Sequence, residues 1–151
     1  MCGITGLYGS CSSKINSDQF ALFNSSLSHR GPDFSSILQA KYSWLGHNRL
    51  SIIDLSAHAN QPYSIKTEHV NLSITFNGEI YNYIEIREEL QSLGHSFQTQ
   101  SDTEVVLKSY MEWGDECCSK FNGMWALAIY NHNNHDLHLS RDRFGVKPLY
   151  I

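Results

Sequence analysis

Residues 2–8 read CGITGLY, a short apolar run that predicts a β-strand directly after the first methionine. Gly3 and Gly6 lie inside this run. Glycine weakens a strand but permits another group to approach its backbone closely. We therefore expect some other part of the chain, or a bound molecule, to lie against this strand.

Cys2 stands out because of its position. If Met1 is removed, as happens when the second residue is small, Cys2 carries both a thiol and a free α-amine. The reference pKa values of an α-amine, about 7.7 to 8.0, and of a thiol, about 8.5, allow the amine to take the thiol proton near neutral pH. Position alone leaves two other interpretations open. Cys2 is an ordinary small strand residue, or its thiol is inert because an N-terminal extension is retained.

The composition is that of one globular domain. The 151 residues are 41% apolar and 17% charged, which is too hydrophobic and too weakly charged for disorder. A net charge of −4 without clustered Lys and Arg argues against nucleic acid as a partner. No signal peptide or membrane-spanning run of about 20 apolar residues is present, so we expect a cytoplasmic protein.

Hydrophobic spacing predicts a first helix, which Ser17 can cap and whose apolar residues recur up to Leu27. Residues 29–33, HRGPD, then force a loop because Gly and Pro interrupt helices. Arg30 and Asp33 carry charges in this loop. We expect both residues to support the strand that begins at Cys2, and we assign a chemical step to neither.

Residues 72–76 alternate as in a strand that ends at the turn-prone pair Asn77-Gly78. Residues 83–93 show a helical face, so residues 77–79 are expected to link strand to helix. The spacing of Ser101 and Glu104 matches a capping box, which predicts another helix with Asp102 in its first turn.

Residues 124–130 and 137–140 predict two strands joined by a polar turn, which is an antiparallel connection. Cys117 and Cys118 are expected to be reduced helix residues, because the cysteines form no C-x-x-C pair. His132, His135 and His138 straddle the turn and the second strand, so no metal site is predicted there. Periodicity alone predicts the α+β class.

Several motifs in one order resemble a known family. Residues 1–4 (MCGI) and 29–33 (HRGPD) resemble the start of class II glutamine amidotransferases, which are N-terminal-nucleophile hydrolases. Further motifs resemble the glutaminase half of glutamine-dependent asparagine synthetases: GHNRLSIIDL (46–55), FNGEIYN (76–82), SDTE (101–104) and RDRFGVKPLY (141–150). Residues 48–50 read NRL, where the glucosamine-6-phosphate synthase and phosphoribosyl-pyrophosphate amidotransferase branches usually carry TRW, so the asparagine synthetase branch fits better.

The resemblance implies a four-layer αββα sandwich, in which two antiparallel sheets lie face to face between helices. One glutaminase domain would span residues 2–151, incomplete at its C-terminus and without a synthetase domain. The glutaminase would need no metal or other cofactor. ATP and magnesium would belong to the absent synthetase domain or to a partner.

The resemblance also implies a role for each site residue. Cys2 is the nucleophile, and Arg49 holds the glutamine α-carboxylate with its planar fork. Asp102 receives the α-ammonium, although an acidic residue in a first turn also stabilises its helix. The Asn77 side chain and the amide of Gly78, whose lack of a side chain admits close approach, stabilise the oxyanion. The rest of the pocket is formed by Leu50, Ser51, Ile52, Ile53 and Glu79.

The implied reaction is hydrolysis of L-glutamine through a Cys2 thioester, with the ammonia passed to an ATP-dependent synthetase that converts aspartate to asparagine. A homodimer is compatible with this interpretation. Two alternatives stay open. In one, the same glutaminase serves another amidation, of a sugar or cell-envelope precursor; in the other, the chain is an inactive module that binds glutamine and docks on a synthetase.

Overall fold

The computed structural model describes residues 2–151, so the expected removal of Met1 falls outside the described residues. Within that range, seven strands form two antiparallel sheets with the orders β1-β3-β2 and β4-β5-β6-β7. The strands are β1 Gly3–Tyr8, β2 Phe34–Gln39, β3 Ser43–Arg49, β4 Tyr63–Lys66, β5 Asn71–Ile80, β6 Gly123–Asn131 and β7 Leu137–Arg141. The helices are α1 Ser17–Ser25, α2 Tyr83–Ser92, α3 Asp102–Trp113 and the short α4 Cys117–Lys120.

The four layers follow from the two faces of each sheet. Helix α1 packs on the three-stranded sheet, where the Phe20 and Trp44 rings lie 5.2 Å apart. Helices α2 and α3 cover the four-stranded sheet, and their buried apolar side chains join its outer face in the main core. Because side chains alternate along a strand, Ala128 and Tyr130 of β6 point the other way and pack on Leu45 of the first sheet. The predicted α+β sandwich is confirmed.

The first strand lies where the sequence places it, and its glycine does admit a close neighbour. A Cβ atom at Gly3 would stand 2.8 Å from the Leu27 Cβ, which is closer than real side chains approach. Leu27 belongs to the loop after α1, so the prediction that α1 extends to it is wrong. The predicted cap is also wrong, because Asn16 caps the helix in a reciprocal pair with Gln19 and Ser17 is the first helical residue.

The predicted end of the strand at Asn77-Gly78 is wrong. Strand β5 continues to Ile80, because β6 pairs with it from Leu72 to Ile80 and sets Asn77 opposite Ala126 and Gly78 opposite Trp125. Residues 81–82, rather than 77–79, connect β5 to α2. The predictions for α2, for α3 with Ser101 as its N-cap, and for the β6–β7 hairpin are confirmed.

Polar contacts join the inner faces of the two sheets. The Thr75 hydroxyl donates to the Gly46 carbonyl at 3.0 Å, and His47 Nε2 lies 3.2 Å from the Phe76 carbonyl oxygen. His47 is fully buried, and burial lowers its pKa from 6.5 to about 4. The imidazole is therefore neutral at physiological pH and can donate from Nε2 to β5.

The buried His47 predicts acid sensitivity. Between pH 6.5 and about 4 the unfolded chain binds a proton at this residue and the folded chain does not, so the free energy of unfolding falls as the pH falls through that window. Thermal unfolding measured from pH 7.5 to 4.5 is expected to show a steeper loss for the wild type than for His47→Gln. Parallel pH profiles for the two proteins contradict this account.

Candidate active site

One pocket of about 160 Å³ lies where β1, the loop after β3, the end of β5 and the start of α3 meet. Most of the site residues expected from the sequence line it: Cys2, Arg49, Leu50, Ile52, Ile53, Asn77, Gly78, Glu79 and Asp102. Ser51 does not line the pocket, and neither do Arg30 and Asp33. The lining also contains residues that were not predicted to belong to the site: Asp54, Ala59, Gln61, Phe76, Ser101, Thr103, Met124 and Lys147.

Cys2 is partly exposed to this pocket. Its Sγ atom lies 3.4 Å from the Leu50 amide nitrogen, which donates to it, and 3.7 Å from the Leu50 carbonyl oxygen. Arg30 donates from Nε to the Cys2 carbonyl at 3.1 Å. Hydrogen bonds therefore hold both the side chain and the backbone of Cys2. Arg30 reaches the expected nucleophile directly, although it stays outside the pocket.

The loop after β3 is held in place by two carboxylates. Asp33 accepts from the Ser51 amide at 2.7 Å, which fixes Ser51 behind the pocket. Asp54 accepts from the Ser56 and Gln100 amides, both at 2.8 Å, and so ties the loop to the segment before α3. Burial raises the pKa of Asp54, but hydrogen bonds from the Ser56 side chain and from the Gln100 and Ser56 amides outweigh it and the net pKa is lowered.

Arg49 extends from the end of β3 into this loop and is 7% exposed. One terminal nitrogen, Nη1, donates to the Ser56 carbonyl at 2.9 Å and to the Asn60 side chain at 2.7 Å. The other, Nη2, donates to the Asp54 carbonyl. These contacts use three of the five guanidinium N–H donors. The Nε donor and the second Nη2 donor make no hydrogen bond within residues 2–151, so they remain for an oxygen ligand such as a carboxylate.

Asp102 provides negative charge elsewhere in the pocket lining. Its Oδ2 accepts from the Ile80 amide at 3.1 Å, which joins the first turn of α3 to the end of β5. Burial raises the pKa of Asp102 to about 6, the Ile80 hydrogen bond opposes this, and the nearby Glu79 charge adds to it. A carboxylate that is costly to charge, through burial and a nearby negative charge, favours a bound cation, and an α-ammonium fits this requirement.

Asn77 and Gly78 occupy the strand rather than a turn. The resemblance implied a glycine at position 78 so that the substrate can approach its amide closely. The structure shows that the packing of the fold also requires glycine there. A Cβ atom there would lie 2.4 Å from the Met124 carbonyl oxygen and 2.7 Å from the Phe76 ring. Glycine is therefore required by the backbone of β6. It also leaves the pocket side of this segment without a side chain.

Gln61 is a pocket residue that the sequence reasoning missed. Its Oε1 accepts from the Phe76 amide at 2.7 Å, and its Nε2 donates to the Thr103 hydroxyl at 3.1 Å. The β4–β5 register, in which Tyr63 faces Ile74, would place Gln61 opposite Phe76. The buried side chain thus satisfies an inner amide of β5 just beyond the paired part of β4. No periodic signal marks it, since β4 itself was not predicted.

Gln61 holds the residue before Asn77 and the residue after Asp102, so its loss should alter the spacing of the pocket. For the glutamine hydrolysis that the sequence resemblance implies, we expect Gln61→Met to lower kcat/KM about ten-fold, because it leaves the buried Phe76 amide without a partner, at a cost of about 1 to 3 kcal/mol. Steady-state kinetics and thermal unfolding measure both effects. Thr103→Ser keeps the acceptor hydroxyl and should stay near wild type. A Gln61→Met enzyme with unchanged kcat/KM contradicts the role.

The residue 141–150 motif also reaches the pocket. The buried Asp142 carboxylate accepts four backbone amides, from Trp125, Phe144, Val146 and Lys147, at 2.8 to 3.2 Å. Burial raises its pKa, but these hydrogen bonds outweigh it and the net pKa is lowered. The turn around Asp142 brings Lys147, 3% exposed, into the pocket wall. The sequence identified this motif without giving it a function.

Comparison with known proteins agrees with this geometry. The whole chain, residues 1–151, matches the family described as the glutamine amidotransferase domain. The chain belongs to this family. The amidotransferase domain is 44% identical to asparagine synthetase [glutamine-hydrolyzing] 1 of Bacillus subtilis, over 99% of this chain and 24% of that protein. It is 38% identical to asparagine synthetase B [glutamine-hydrolyzing] of Escherichia coli, over 100% of this chain and 27% of that protein.

The chain thus spans about a quarter of the length of these relatives. The glutamine phosphoribosylpyrophosphate amidotransferase of B. subtilis has the same fold, with a TM-score of 0.81 over 98% of this chain and 38% of that chain. At 19% identity this likeness concerns the fold alone. The predicted family and the predicted four-layer sandwich are confirmed.

The three histidines considered in the sequence lie outside the pocket. Each histidine of the β6–β7 hairpin contacts a different group, His132 with Ser73, His135 with Tyr130 and His138 with Asp115. Among residues 2–151 no group of three or more His, Cys, Asp and Glu side chains is placed to hold a metal ion. In the same range, no helix has the length and apolar character needed to cross a membrane.

Proposed function

We propose that this amidotransferase domain hydrolyses L-glutamine to glutamate and ammonia, with Cys2 as nucleophile. The observation that carries the proposal is the single pocket in which the Cys2 thiol, the Arg49 guanidinium and the Asp102 carboxylate meet. Arg49 and Asp102 together match the two charges of a free α-amino acid. The side chain of that amino acid would then extend toward Cys2 and the Asn77-Gly78 segment.

The proposed reaction has two steps. The α-amine of the mature Cys2 takes the thiol proton, and the thiolate attacks the substrate amide carbon to form a C–S bond. The Asn77 side chain and the Gly78 amide stabilise the oxyanion. Collapse of this intermediate expels ammonia, which receives the proton from the α-ammonium. Water, deprotonated by the same amine, then attacks the thioester, and the Cys2 sulfur leaves as glutamate forms. These groups supply the chemistry without a metal or other cofactor.

We further propose that the ammonia passes to an ATP-dependent synthetase domain or subunit that converts aspartate to asparagine. The support is the similarity to two relatives whose names state that they are glutamine-hydrolysing asparagine synthetases. Since the chain spans about a quarter of those proteins, the synthetase would be supplied by further chain or by a partner.

The experiment that tests the hydrolase proposal measures glutamate and ammonia released from L-glutamine by the protein with a free Cys2 amine. Equal amounts of both products are expected. D-Glutamine and L-asparagine serve as controls, because the first misplaces the α-substituents and the second does not reach the thiol. Binding of L-glutamine without glutamate release contradicts the proposal and favours a silent binding module.

Asp102 predicts the pH dependence of substrate binding. The carboxyl becomes neutral as the pH falls through about 6, so the KM for glutamine should rise below that value while the attraction for the α-ammonium is lost. Asp102→Asn should raise KM about ten-fold at pH 8 and flatten the profile. Glu79→Gln is the matched variant. It should move the inflection to lower pH, because the Glu79 charge raises the pKa of Asp102. A wild-type KM that is constant from pH 8 to 5 contradicts this role.

A further inference from the structure

A second cysteine lies in a polar cluster outside the pocket. The cluster comprises Asp115, Cys117, Cys118, His138 and Ser140, where α4 packs against β7. The Cys118 Sγ atom lies 3.3 Å from the Ser140 hydroxyl and 4.0 Å from the Cys117 Sγ. Cys118 is half-buried, whereas Cys117 is 1% exposed. Cys118 is therefore the more accessible of the two adjacent thiols.

His138 is oriented in this cluster by a carboxylate. Its Nδ1 lies 3.0 Å from Asp115 Oδ1, and the other ring nitrogen, Nε2, is buried without a hydrogen-bond partner among residues 2–151. Interaction with the Cys118 thiol raises the pKa of His138, burial opposes this, and the Asp115 charge adds to the increase. His138 and Ser140 are two residues apart on β7, so their side chains share the face of the strand on which the Ser140 hydroxyl lies 3.3 Å from Cys118 Sγ. The imidazole therefore stands on the face of β7 that Cys118 contacts.

The pKa of Cys118 shifts in the opposite direction, downward. A hydrogen bond with the Cys117 thiol lowers the pKa of Cys118, burial opposes this, and His138 and Ser140 lower it further. The titratable groups that face Cys118 and His138 are Tyr110 of α3, Asp115, Cys117 and the Cys118–His138 pair itself. A thiol, an imidazole and a carboxylate in this order form the constellation that activates a nucleophilic cysteine. Cys2 and its pocket take no part in it.

We propose that Cys118 is a second reactive thiol of this domain, a modification site for low-molecular-mass disulfides. In the exchange, the Cys118 sulfur attacks one sulfur of the reagent, and a new S–S bond forms as the reagent's own S–S bond breaks. The released half departs as a thiolate and takes a proton from the His138 imidazolium. The site is independent of the glutaminase proposal.

The test treats the intact protein with glutathione disulfide at pH 6.0 and 8.5, followed by peptide mapping of each cysteine over time. Cys11 is the internal comparison, because it is an exposed free thiol in the same chain. At pH 6.0 Cys118 is expected to form the mixed disulfide at least about ten-fold faster than Cys11, since thiolate character controls the rate at low pH. Equal rates, or no modification of Cys118, overturn the proposal.

Two variants separate activation from simple accessibility. His138→Gln keeps the approximate size of the side chain and removes the proton carrier, so modification of Cys118 at pH 6.0 should slow about ten-fold while Cys11 is unaffected. Asp115→Asn, at an exposed carboxylate, should slow Cys118 in the same direction and provides the test if His138→Gln does not fold. An unchanged Cys118 rate in the folded variants overturns the assignment to this cluster.

Discussion

Replacing Cys2 with alanine is expected to reduce glutamate release from L-glutamine at least about a thousand-fold, because the substitution removes the only atom in the proposal that bonds to the substrate. The α-amine that remains can still deprotonate water. It has no thioester to hydrolyse, so the general base alone does not restore turnover.

The loss should affect kcat and spare binding. Arg49 and Asp102 are untouched in Cys2→Ala, so the affinity for L-glutamine, measured by calorimetry, should stay within about three-fold of wild type. Cys11→Ser is the matched control at an exposed thiol and should release glutamate at the wild-type rate. Glutamate release by Cys2→Ala at a rate near wild type contradicts the assignment of the nucleophile.

Asn77→Asp is expected to lower kcat about a hundred-fold or more with a much smaller change in KM, because the oxyanion loses a donor and meets a negative charge. The substitution preserves the shape of the side chain, and the backbone pairing of residue 77 with Ala126 is unaffected. The fold should therefore be retained, which circular dichroism checks.

Steady-state glutaminase kinetics distinguish this role from a purely structural one. Asn134→Asp, in the exposed β6–β7 turn, makes the same chemical change away from the pocket and should leave kcat unchanged. If Asn77→Asp retains kcat within about three-fold of wild type, the residue does not stabilise the oxyanion and the donor must lie elsewhere.

Local signals in the sequence were sufficient for the elements that local interactions determine. Ser101 caps α3 through the Glu104 amide, Gly94 and Gly114 take positive φ after α2 and α3, and the β6–β7 hairpin follows from alternation and a polar turn. These features depend on residues close in sequence. For the same reason Asp102 could be placed in the first turn of α3 in advance.

Elements fixed by distant pairing were misplaced or missed. Asn77-Gly78 has the local preference of a turn, but a nine-residue partner strand, Gly123–Asn131, holds the pair in extended form. Strands β2, β3 and β4 were not predicted from periodicity. For β3 the reason is that the strand is buried throughout and so lacks alternation. Without β4 there was no reason to expect Gln61 beside Phe76.

The resemblance to a family gave the pocket residues that periodicity could not. Arg49 and Asp102 lie 53 positions apart in the chain, and only the fold brings both into one pocket. The hydrogen bonds that support the pocket could not be predicted from the sequence. The link from Arg30 to the Cys2 carbonyl and the one from Asp33 to Ser51 required coordinates, although the charged loop had been identified as a support.

Covalent trapping tests most directly whether Cys2 attacks a glutamine side chain held in this pocket. The protein with a free Cys2 amine is treated with an electrophilic L-glutamine analogue, and the adduct is located by peptide mapping with and without excess L-glutamine. The account predicts one adduct on the Cys2 sulfur that L-glutamine prevents. An adduct that forms only elsewhere, or a Cys2 adduct that L-glutamine does not slow, contradicts it.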